Sequence, residues 1–301
     1  MRLESLLLVA AFTSRVVPPG TASADEPVLR HVRPDRQIGS SGAVVVPAEK
    51  ALLFSTQVVA PTDPNLSLSP DQLVMEVLDR LDSVLQAGGS SLDQAVRLHV
   101  VMAEPDLLAS LRSILAKRFT DRDGPALTVV VGALPRPGAQ IAVDAVAIVS
   151  TRPLAGQVDR PEPLGEGGLI AGAPFAVLPS GPRVFVSGQA EPADDLAEAT
   201  RKTLDSLADT LKSLGLTRDQ VVQLKAFYLP PDSAEVVERE VAAFFEGTTP
   251  PPLVLVEWQS SLPIEIELVA TAPQPGSDQV IDYRATPSLA ASPVFSRVAQ
   301  V

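Results

Sequence analysis

The stretch Pro251–Ala270, PPLVLVEWQSSLPIEIELVA, decides how the chain is read. Leu253, Val254, Leu255 and Val256 form an apolar β-type block closed by Glu257 and Trp258. Ile264, Glu265, Ile266, Glu267 and Leu268 then alternate apolar and acidic, the pattern of a strand with one covered face. Gln259, Ser260 and Ser261 are turn formers between them, and Pro263 can open a strand but not occupy its middle. An echo begins at Pro125, PALTVVVGALPRPGAQIAVDAVAIV, with a β-rich run, a Leu-Pro turn and a strand carrying one acid, Asp144. Both stretches are expected to close a unit as hairpins.

Working outward, the same order of elements precedes each. Ala43–Val46 and Ala51–Ser55 read as a hairpin around Pro47-Ala48-Glu49-Lys50. Ser69, Pro70 and Gln72 give a capping box and a first-turn proline, and Leu73, Val77, Leu78, Leu81, Val84 and Leu85 line one helical face up to Gly88-Gly89. Ala95–Met102 reads as a strand and Asp106–Phe119 as a second helix. After residues 150–168, rich in proline, glycine and charge, the order restarts. Phe175–Val177 and Val184–Ser187 are strands, a helix carries Leu204, Leu207, Leu211 and Leu214, Val221–Tyr228 is a strand, and Val237, Val241, Phe244 and Phe245 mark another helix. Asp93-Gln94 and Asp219-Gln220 are separated by the same offset as Pro125 and Pro251, which indicates a duplicated domain. The fold class is therefore α+β, two tandem ββαβαββ units, each a mixed sheet with two helices on one face.

The boundaries follow: a signal peptide over 1–24, domains over 25–150 and 168–273, a linker over 151–167, and a tail over 274–301. In the tail, Ser292-Pro293-Val294-Phe295 repeats the opening of the second unit. The tail either begins a third unit or pairs back onto the body. Leu6–Phe12 is a short apolar core and Ala22-Ser23-Ala24 a small-x-small cleavage site before Asp25, so the protein is expected to be exported to the periplasm or outside the cell. No segment is apolar for long enough to span a bilayer.

With 301 residues, 46% hydrophobic, the chain can bury two cores. A net charge of −12 sets it against nucleic acid and anionic membranes as partners. Having no cysteine, it has no disulfide, thiolate nucleophile or cysteine metal site. Two distant histidines, His31 and His99, argue for no metal, and nothing points to a cofactor. His99 has no serine or cysteine partner placed by the sequence, so it reads as a packed or surface residue. Asp144 stands in an otherwise apolar strand and therefore needs a partner.

Ser187-Gly188-Gln189 after the second strand, the proline-led β run and the ending Ile264–Ala270 resemble the RidA family, also called YjgF and once labelled endoribonuclease L-PSP. The resemblance spans most of 40–150 and 168–273 and is nearer in the second unit; the first has Ser55-Thr56-Gln57 and Ala142-Val143-Asp144 at the matching places. It implies a chorismate-mutase-like fold, trimers with ligand clefts between subunits, and hydrolysis of 2-imino or 2-enamino acids to 2-oxo acids and ammonia. It also implies a carboxylate that activates water, matched by Glu267 and Asp144, and binding positions at Phe175, Ser187, Gly188, Leu253, Leu127, Ser55 and Thr56.

The chain departs from the family at a decisive point. The arginine that pairs with the substrate carboxylate is Leu127 in one unit and Leu253 in the other, and the family tyrosine is Phe175. A bidentate guanidinium is hard to replace; Arg136 and Arg297 are the candidate stand-ins. Two functions stay open: a deaminase relative with altered or lost catalysis, or a non-catalytic module that binds a small metabolite, or serves structurally, at the cleft between units. The expected assembly is a trimer-like self-association or an intramolecular pseudo-trimer.

Overall fold

In a computed structural model, residues 29–63, 66–149, 157–162, 172–272, 281–286, 294 and 296–301 are described. The expected signal peptide lies outside these residues, as do most of the linker and part of the tail.

The first unit runs β1 (Arg30–Asp35), β2 (Ser40–Val45), β3 (Leu52–Ser55), β4 (Val58–Val59), α1 (Pro70–Ala87), β5 (Ala95–Met102), α2 (Leu107–Arg118), β6 (Ala126–Val131) and β7 (Ile141–Ile148). The second runs β8 (Phe175–Leu178), β9 (Arg183–Gln189), α3 (Leu196–Ser213), β10 (Val221–Tyr228), α4 (Ala234–Phe244), β11 (Leu253–Glu257) and β12 (Ile264–Thr271), followed by β13 (Asp282–Arg284) and β14 (Val298–Gln300). Local chemistry sets the helix starts. Ser69 Oγ accepts from Gln72 N while Gln72 Oε1 accepts from Ser69 N at 2.8 Å, a reciprocal cap worth about 1 kcal/mol. Asp195 Oδ1 does the first half of this for α3, accepting from Glu198 N at 2.8 Å.

One sheet has the order β1-β2-β6-β5-β7-β3-β8, with β4 also on β7; the other has β11-β10-β12-β9-β14-β13. Both are mixed: β5 and β6 are parallel, as are β10 and β11, while β7 and β12 run antiparallel to their neighbours. Helices α1 and α2 cover one face of the first sheet around Leu81, Leu98, Leu111 and Ile141. Helices α3 and α4 do the same in the second around Leu207, Leu224, Val241 and Ile266. This is the expected α+β architecture, with both helices of each unit on one face.

The expected hairpins are absent. After α2 the chain enters β6 parallel to β5 and returns as β7 on the other side of β5, so β5 separates the two strands. In the same way β10 stands between β11 and β12. The helical crossover sets β6 parallel beside one edge of β5, and β7 then pairs antiparallel with the other edge. The opening hairpins open out too. β8 leaves β9 and pairs with β3 of the first unit, Ser55 opposite Phe175 and Leu52 opposite Leu178. The place beside β9 is taken by β14, Val298 opposite Val186 and Gln300 opposite Val184.

The sheet faces without helices meet at the seam between units. Leu52, Phe54, Val96, Val146, Ile148, Ala176, Leu178 and Val222 form a shared core there. Val96 and Val222 are the extra residues of matching bulges, where the ladders shift between Ala95 and Arg97 and between Val221 and Gln223. Thr56 Oγ1 donates to Leu253 O across the seam at 3.1 Å, and Gln223 Nε2 donates to Ser55 O at 3.0 Å.

Candidate functional site

The same cross-strand position carries ionisable groups in both units. In the first, His99 on β5 is opposite Asp144 on β7. In the second, Lys225 on β10 is opposite Glu267 on β12. Residues directly opposite in an antiparallel ladder share a face about 5 Å apart, and here it is the face turned to the seam, away from the helices.

The first pair is closed. His99 Nδ1 lies 2.6 Å from Asp144 Oδ2. Both side chains are buried. A carboxylate accepts, so Nδ1 carries the proton. Ser55 Oγ nearby is used twice, accepting from Ala145 N at 2.9 Å and donating to Thr56 O at 2.9 Å. The partner that Asp144 needed is thus His99, which sequence reasoning set aside.

The second pair is open. Lys225 is 6% exposed, yet among the described residues its ammonium makes no ion pair or hydrogen bond. Burial pushes its pKa below the usual lysine value. The Asp144 carboxylate from the first unit opposes the shift, Arg97 adds to it, and Glu267 opposes it. Lys225 and Glu267 line a cavity of about 260 Å³ with Phe185, Ser187, Gln223 and Tyr283. Phe185 and Tyr283 are exposed, at 43% and 64%, and mark its mouth. The tail contributes Ser296 and Ala299 to the wall.

The Ser187-Gly188 segment has a definite shape. Gln189 lies opposite Ile266 but Val186 lies opposite Leu268, so two residues of β9 face Glu267 alone. That is a β-bulge. The Ser187 hydroxyl there is buried and, among the described residues, has no hydrogen-bond partner; it lies on the cavity wall. A Cβ on Gly188 would fall 1.9 Å from Glu265 Oε1, so only glycine lets that carboxylate sit against the backbone. Burial raises the Glu265 pKa, the Glu267 charge raises it further, and Arg297 pulls it down.

The remaining predicted positions are not gathered at the cavity. Leu253 pairs with Leu224 and packs in the helix-side core, on the face opposite Glu267. Leu127 packs against the helix-side core of the first unit, and Phe175 is buried in it. Arg136 approaches Glu238 of α4 at 3.5 Å instead of the cavity; burial raises that carboxyl to about 7, with Arg136 opposing and Glu235 adding. Lys225 is the residue sequence reasoning missed. Its signal was its register: it stands where His99 stands in the first unit. Among the described residues no group of three His, Asp or Glu side chains could hold a metal ion. No helix among them is long and apolar enough to cross a membrane.

No protein-family model matches the chain, and no curated protein does. Solved structures do. A Rid-family protein of unknown function from Yersinia pestis is similar at 24% identity, covering 40% of this chain and 98% of that one, with a TM-score of 0.35. Yeast Mmf1 is similar at 20% identity over 41% of this chain and 100% of its own, with a TM-score of 0.30. A YjgF-family protein from Neisseria meningitidis is similar at 18% identity over 41% of this chain and 97% of its own, with a TM-score of 0.30.

Proposed function

We propose that this chain is a tandem RidA-like protein whose imine or enamine deaminase chemistry is altered or lost, and that the second unit's cavity binds a small metabolite. The observation that carries the reading is the meeting of Lys225, Glu267 and the unpartnered Ser187 hydroxyl around one cavity, while Leu253 faces the opposite core. A carboxylate beside a cavity can orient a water or relay a proton. A family substrate also needs its carboxylate clamped, and a single desolvated ammonium is a poorer clamp than a guanidinium fork. The neighbouring Glu265 and Glu267 further disfavour an anionic ligand. The reading therefore favours a neutral ligand, and extends to a non-catalytic module because the equivalent pair in the first unit, His99–Asp144, is closed by a buried contact of 2.6 Å.

On this reading the protein is exported, as Leu6–Phe12 and Ala22-Ser23-Ala24 suggest, and the two units form part of a pseudo-trimer. The test generates a 2-imino acid in situ with an amino-acid oxidase and follows ammonia release. The expected result is no acceleration over the protein-free reaction. Acceleration that Glu267→Gln abolishes would show that deaminase chemistry is intact.

A further inference from the structure

We propose that Lys225 condenses with a small neutral aldehyde or ketone in the second unit's cavity, forming an imine at Nζ. The proposal rests on that cavity being a binding site, and adds the class of ligand and the bond it makes.

Four observations lead there. Lys225 lines the cavity and, among the described residues, has no ion pair or hydrogen bond to hold its ammonium. Its nearest ladder neighbour on the same face is Glu267, a carboxylate able to relay protons. Among the described residues the Ser187 hydroxyl has no partner, and with Gln223 it lines the same wall, where a carbonyl oxygen could be held. The rest of the lining, with Phe185, Leu268, Val269 and Tyr283, is suited to a short apolar chain. Burial also favours the neutral amine, which is the nucleophile. Glu267 on the cavity wall disfavours an anionic ligand, so the fitting carbonyl compound carries no carboxylate.

The step balances without an oxidant. The Nζ lone pair adds to the carbonyl carbon, and the C=O π pair moves to oxygen, giving a carbinolamine. Glu267 relays the two amine protons to that oxygen. The C–O bond breaks, the oxygen leaves as water, and the nitrogen lone pair closes the C=N bond. One amine and one carbonyl give one imine and one water.

The test incubates the full chain with propanal and cyanoborohydride near neutral pH, then maps alkylated lysines by peptide mass spectrometry. Lys225 is expected to be labelled about tenfold faster than the exposed Lys117, because a desolvated amine holds more of its neutral form. Glu267→Gln should slow labelling at Lys225 and leave Lys117 unchanged, and Lys225→Arg should abolish the adduct at that site. Labelling of Lys225 no faster than Lys117 overturns the proposal. Occupancy is read separately from the thermal shift produced by propanol, which can bind but cannot condense. Propanol binding without a Lys225 adduct removes the imine and leaves the binding site; neither response removes both.

Discussion

His99–Asp144 and Lys225–Glu267 occupy the same rung of the same sheet in the two units, and they have gone opposite ways. The first is a buried contact of 2.6 Å with a serine hydroxyl beside it fully used. The second is a buried lysine facing a carboxylate across a cavity, with the corresponding serine hydroxyl unused. The difference teaches that this rung tolerates charge in either of two ways: by contact, which stabilises the seam, or by a cavity, which leaves the charges available to a ligand. The ladder gains one residue here in both units, 187–188 opposite Glu267 in the second and 55–57 opposite 144–145 in the first, so what differs is the use of the serine hydroxyl and not the bulge. In the first unit Ser55 is the last residue of β3, and its hydroxyl bonds directly to the backbone of β7.

The comparison breaks most sharply at the carboxylates. Asp144→Ala leaves the His99 Nδ1 proton buried without an acceptor, a loss of about 3 kcal/mol. Glu267→Ala removes a half-buried side chain that makes no ion pair among the described residues, and should cost within about 0.5 kcal/mol. Urea denaturation of the two variants measures both. Equal losses would mean that the second pair is as structural as the first.

The serines sharpen it at smaller cost. Ser55→Ala removes the acceptor for Ala145 N and should destabilise by about 1–2 kcal/mol. Ser187→Ala removes a hydroxyl with no partner and should be neutral or slightly stabilising. Thermal denaturation separates them, and a large loss at Ser187 would show that its hydroxyl already serves the fold.

Why one rung was foreseeable and the other was not follows from what a strand's sequence encodes. Asp144 stood out because every neighbour in Ile141–Ile148 is apolar, so its need for a partner was legible. The capping box at Ser69 and the helical period of α1 were legible for a similar reason, since each depends on residues within a few positions. Strand pairing is not local. The period of two assigns a face but not a neighbour, so adjacent strands such as β11 and β12 read as a hairpin although β10 lies between them. The exchange of β8 into the first sheet and of β14 into its place depends on contacts far apart in the chain. Lys225 was hidden by the same limit: a lysine in a strand ordinarily marks a solvated face, and only the packing of two units seals this one.

The remaining effect concerns Lys225 itself, and its sign is informative. Burial, the largest cause, lowers its pKa in the folded protein, and Asp144 and Glu267 only partly oppose this while Arg97 adds to it. A lysine with a depressed folded pKa binds its proton more weakly when folded than when unfolded. Its contribution is most favourable above the unfolded value of about 10.4 and turns unfavourable as pH falls toward the folded value, where the charged form must be held without water. At neutral pH the lysine therefore costs stability. Lys225→Met keeps the length and removes the charge, so it should stabilise the protein by about 1 kcal/mol near pH 7, with the gain shrinking as pH rises toward 10. The measurement is the difference in unfolding free energy between the variant and the parent at several pH values. His99→Met should move the other way, losing stability by stripping Asp144 of its donor. A stabilised Lys225→Met beside a destabilised His99→Met would separate the open rung from the closed one. A destabilised Lys225→Met, flat with pH, would mean that Lys225 is a structural cation already satisfied by the seam.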